Sequence, residues 1–66
     1  MKRPFFRPVV NGPIDGNAYS VISHVTRALK EAGADKEYIK EYMEEAMSKS
    51  YDNLLRVSME YVDFNL

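Results

Sequence analysis

A chain of 66 residues allows a single small domain, which buries only about 60% of the surface its unfolded chain exposes. It has no cysteine, which excludes disulfides and thiolate metal sites. Nine Lys and Arg against ten Asp and Glu leave a net charge of -1, which removes any bulk attraction to nucleic acid. No apolar run approaches the length of a membrane span or of a signal-peptide core behind Met1-Lys2-Arg3. The expected location is the cytosol.

Residues 1–16 carry all three prolines, Pro4, Pro8 and Pro13, and two of the three glycines, Gly12 and Gly16. Proline at these spacings forbids a regular helix. Phe5–Val10 reads as an extended arm or short edge strand, followed by the turn signals Asn11-Gly12-Pro13 and Asp15-Gly16-Asn17.

A first helix is predicted over 17–33, with Asn17 as its N-cap and Asp15 as the alternative. Ala18, Val21, Ile22, Val25, Ala28, Leu29 and Ala32 recur at helical spacing and make one apolar stripe. Gly33 supplies the left-handed residue that commonly closes a helix. A second helix is predicted over 35–48, capped by Asp35, with Tyr38, Ile39, Tyr42, Met43, Ala46 and Met47 as its apolar stripe. Its charged face allows the pairs Lys40–Glu44 and Glu45–Lys49.

A third helix is predicted over 51–61, capped by Ser50 or Asp52. Tyr51, Leu54, Leu55, Ser58 and Val62 share its stripe, flanked by Val57 and Tyr61 on one side and Met59 on the other. The tail, 62–66, alternates apolar and polar residues, a period that suits a short strand, and the arm is its one available partner. The fold class is therefore mainly α: a compact three-helix domain with an extended N-terminal arm and a short two-stranded pairing of the termini.

Groups able to do chemistry are few. His24 is the single histidine, and it falls with Ser20 and Ser23 on the polar face of the first helix, where no pocket or oxyanion hole is implied. Glu44 and Glu45 are adjacent and point apart, so they make no acid–base pair. One histidine and no Asp-rich loop give no metal site. The sequence thus predicts a binding protein without catalytic activity, metal or cofactor.

Two features point to binding. The first helix's free N–H groups and dipole favour an anion. Asn17, Ser20, His24 and Arg27 lie along that helix, and Arg3 and Arg7 would join them if the arm folds back toward its start. The second feature is aromatic surplus: five Tyr and three Phe, of which Phe5, Phe6 and Tyr19 are the candidates for a partner interface. Self-association would also compensate for a small core.

Asp15-Gly16-Asn17-Ala18-Tyr19, Arg27-Ala28-Leu29-Lys30-Glu31-Ala32-Gly33, Glu44-Glu45-Ala46-Met47-Ser48, Tyr51-Asp52-Asn53-Leu54-Leu55 and Met59-Glu60-Tyr61-Val62 together form a pattern. It resembles a family of small uncharacterised bacteriophage and bacterial proteins, over roughly residues 15 to 63. The chain departs from that pattern at Lys49-Ser50, where the family leads one to expect Gly-Asp, and in its Phe/Pro-rich arm. The resemblance implies a small accessory protein in a phage setting.

Three readings follow. The first is stoichiometric binding to a host or viral protein. The second is an oligomeric sponge that sequesters a small anionic nucleotide signal used in antiviral defence, with phosphate held by cations and a base stacked on an aromatic ring. The third is a structural or regulatory domain with no separable site.

Overall fold

The computed structural model describes residues 1–65; Leu66, at the end of the predicted tail, lies outside them. The chain runs β1 (Val9–Asn11), α1 (Ala18–Glu31), α2 (Lys36–Ala46), α3 (Tyr51–Tyr61) and β2 (Asp63–Asn65). The fold is the predicted one: mainly α, with an extended arm and a two-stranded pairing of the termini. No described helix is long and apolar enough to cross a membrane.

Local chemistry sets the helix ends. The side chains of Asn17, Asp35 and Ser50 accept hydrogen bonds from the N–H groups of Tyr19, Tyr38 and Asn53, satisfying donors that lack helical partners. Gly33 adopts φ 100°, a conformation closed to most residues, and turns the chain from α1 to α2. The predicted spans 17–33 and 35–48 are trimmed to 18–31 and 36–46, because these capping and turn residues sit outside the helical ladder.

The core forms where the three helical stripes meet. Val25, Leu29, Tyr42, Ala46, Val57 and Val62 are essentially inaccessible, and Val10 and Val21 join them. Val10 and Val62 come from the terminal segments, so the short sheet helps to cover the bundle. Its strands are parallel, pairing Val9 with Asp63, Val10 with Phe64 and Asn11 with Asn65. Ser58 is fully buried on α3, and it is satisfied by the Tyr42 hydroxyl at 2.6 Å. Tyr61 packs edge-on against Tyr42 and Tyr38, with ring centres 5.0 and 5.6 Å apart.

Three expectations are corrected. Met43 and Met47 were assigned to the buried stripe of α2 but are exposed. The helix turns its Tyr38–Tyr42–Ala46 arc, with Ile39 at its edge, toward the core, and three helices leave no fourth neighbour for Met43 and Met47. Tyr51, assigned to the stripe of α3, keeps its ring partly outside while its hydroxyl donates to the Gly16 carbonyl. The pairs Lys40–Glu44 and Glu45–Lys49 are not formed. Among the described residues, the ion pairs one turn apart are Arg27–Glu31 and Arg56–Glu60.

Candidate functional site

The contact from Tyr51 to Gly16 places the starts of α1 and α3 at one end of the bundle. The backbone donor at Asp63 bonds Pro8, beyond the finish of α3, so the arm lies at the other end. These two ends carry the residues singled out in the sequence, and they are built differently.

At the arm end, Arg7 closes α3. Its guanidinium donates to the carbonyls of Met59 at 2.6 Å, Glu60 at 2.9 Å and Val62 at 3.1 Å, and its Nε meets Asp63 Oδ1 at 2.8 Å. A helix leaves its last carbonyls without partners and carries partial negative charge there, which suits a planar cation with several donors. The Lys2 N–H donates to Asp35 Oδ2, and the Asp35 N–H donates back to the Lys2 carbonyl. Asp35 is held below the usual carboxylate range by the N–H groups of Tyr38 and Lys2. The Phe5 N–H donates to the Ala32 carbonyl, and the Phe5 ring lies directly over Gly33.

The predicted anion site does not assemble within one chain. Asn17 and Ser20 begin α1, and the side chain of Asn17 is occupied as the cap. Arg7 is committed to the finish of α3, where its donors already have acceptors. Arg3 lines a cleft of about 370 Å³ with Tyr38, Tyr61, Glu41, Glu45 and Glu60, on the arm side and away from the start of α1. The same cleft pushes the Tyr61 hydroxyl up to about 12, first by burial and then by Glu45 and Glu41. His24 contacts the Ser20 carbonyl through Nδ1 at 2.7 Å, and Arg27 lies 3.8 Å from Glu31 on the exposed face.

The three aromatics proposed for an interface are all exposed, Phe5 at 82%, Phe6 at 62% and Tyr19 at 76%. They do not form one surface. Tyr19 lies in the first turn of α1, whereas Phe5 lies beyond its last, about 20 Å away by the rise of the helix.

From the opposite end, an apolar belt runs across the helix starts and along α3 as far as Met59. A groove of about 240 Å³ is lined by Ala18, Tyr19 and Ile22 of α1, Ala46 and Met47 at the finish of α2, and Lys49, Ser50, Tyr51 and Leu54 at the start of α3. Tyr51 also borders a second groove, of about 310 Å³, where Ile14 and Val21 face Leu55, Met59 and Phe64. Tyr19, Met47, Tyr51 and Met59 are exposed along this path. Methionine and tyrosine suit such a role, since one adapts its shape and the other adds a polar tip to apolar area.

The sequence predicts Tyr19 as an interface residue and Lys49 on a charged face, but it assigns Met47, Tyr51 and Met59 to apolar stripes. For Met59, its place on the flank of a stripe is the available signal. Lys49 sits in a turn whose position depends on how α2 and α3 meet. No family model, curated protein or solved structure matches the chain, so surface chemistry carries the functional argument.

Proposed function

We propose that the protein acts without catalysis, by stoichiometric binding of a protein partner along the Tyr19–Tyr51–Met59 belt. The exposed continuity of the two apolar grooves supports this reading most directly. Contiguous apolar surface on a small domain marks an interaction site, and scattered single residues do not. The resemblance to small phage proteins supplies the setting, in which a host or viral protein is the target and the cytosol is the compartment. The test is photo-crosslinking in the producing cell, with a photoreactive residue placed at Met59, Tyr51 or, as a control, Arg27. One discrete adduct at the first two positions and none at the third is the expected result. Adducts at Arg27 alone would refute the assignment.

A second reading is favoured by one arrangement at the same end. The starts of α1 and α3 border one groove, together with Lys49 and the exposed ring of Tyr19. Two helix starts and a lysine suit phosphate, and an open aromatic suits a base. A small anionic nucleotide held there, with further cations from a second copy, is the sponge alternative. Calorimetric titration with cyclic and linear nucleotides separates the readings. Saturable binding that is lost on Lys49→Glu would favour the sponge.

A further inference from the structure

The outward face of α2 is centred on Met43, between Ile39, which is half-buried against the core, and Met47, which also borders the belt. Ile39, Met43 and Met47 follow one another at four-residue spacing and form a single apolar ridge, with Lys36, Lys40 and Glu44 beside it. Met43 remains 37% exposed although Tyr42, its neighbour in sequence, is fully buried. Among the described residues, neither Lys40 nor Glu44 is in an ion pair: those present are Arg7–Asp63, Arg27–Glu31 and Arg56–Glu60.

We propose that this ridge is a self-association face on which two copies pack their α2 helices antiparallel, with Lys40 of each chain beside Glu44 of the other. The charge order argues for a second copy as the occupant. In an isologous pair, a residue ahead of the two-fold axis meets one behind it. Lys40 and Glu44 lie two positions either side of Tyr42 on the same flank of the ridge. A two-fold axis at the level of Tyr42 therefore sets cation against anion twice, with Met43 of each copy between the pairs. Parallel packing, whose two-fold axis runs along the helices, would carry this flank to opposite sides of the seam and leave both cross-chain pairs unmade, so the charges favour the antiparallel orientation. The ridge is one short helix long, so the interface falls at the small end of the usual range, and micromolar or weaker association is expected.

The test is sedimentation equilibrium of the whole chain from micromolar to millimolar concentration. The wild type is expected to rise from 7.6 kDa toward twice that mass. Met43→Glu should remain monomeric with its helical circular dichroism unchanged. Lys40→Glu, which brings four carboxylates together, should weaken association at least about tenfold, and the charge-swapped Lys40→Glu/Glu44→Lys chain should regain it. If Met43→Glu fails to fold, the exposed charge variants decide. A wild type that stays monomeric throughout, or a dimer indifferent to single charge reversal, overturns the proposal. Rescue by the double swap supports it, and failure of the rescue contradicts the antiparallel pairing. None of these outcomes depends on the belt partner, whose contact is read at Met59 and Tyr51.

Discussion

At one end of the bundle, Lys2, Phe5 and Arg7 bind main-chain groups and draw the proline-bearing arm onto the helices. At the other, Tyr19, Met47 and Tyr51 border open grooves of mostly apolar lining. The contrast follows from what each end lacks. The finish of α3 offers carbonyls without partners, and a single arginine meets three of them. The helix starts are already served by Asn17 and Ser50, so side chains there are left for contact with something else. In a domain this small, one end is closed by its own chain and the other stays open.

The largest expected effect comes from opening the closed end. In Gly33→Ala the new Cβ would lie 2.5 Å from the Phe5 ring, and the backbone holds φ 100°. A loss of about 1–3 kcal/mol in chemical denaturation is expected, together with release of Phe5. Arg7→Ala should cost about 1–2 kcal/mol, since its charged bonds to carbonyls are strong but half open to water. A loss under about 0.3 kcal/mol would show that the arm is held by its other contacts.

Acid offers a selective release of the same end. Asp35 has a lowered pKa in the folded chain, so its stabilisation is present above the unfolded value and disappears as pH falls through the folded one. Below about pH 4 the Lys2 contact should loosen before the bundle unfolds, as read by amide chemical shifts of residues 2–5. The smallest effects belong to the belt. Tyr19→Ser and Met59→Ser should each change stability by no more than about 0.5 kcal/mol, because neither side chain completes the core. A larger loss would make these residues structural and weaken the case for a binding surface.

Much of this architecture was legible in the sequence. Asn17, Asp35 and Ser50 announce helix starts by their own side-chain chemistry, and Gly33 announces a stop, so the three helices needed no tertiary information. The stripe of α1 was fully readable for the same reason: it is flanked by helices on both sides. Met43 and Met47 were misread because periodicity gives the width of an apolar arc but not the number of neighbours available to cover it. Arg7 was placed in the wrong site because its partners lie more than fifty positions further along the chain. Nothing local to the arm indicates that it returns to the finish of α3. The belt was half visible, through Tyr19, since its other members become neighbours only after α2 and α3 have packed.

Native-state hydrogen exchange of the Phe5 and Asp35 amides tests the contrast between the ends most directly. Both donate to carbonyls that only a docked arm can bring within reach, Phe5 to Ala32 and Asp35 to Lys2. Protection within about tenfold of the Val25 amide in the centre of α1 is the expected result, because arm and bundle then open together. Exchange of both amides at the rate of an unfolded peptide, with Val25 still protected, would mean the arm is loose and the closed end does not exist.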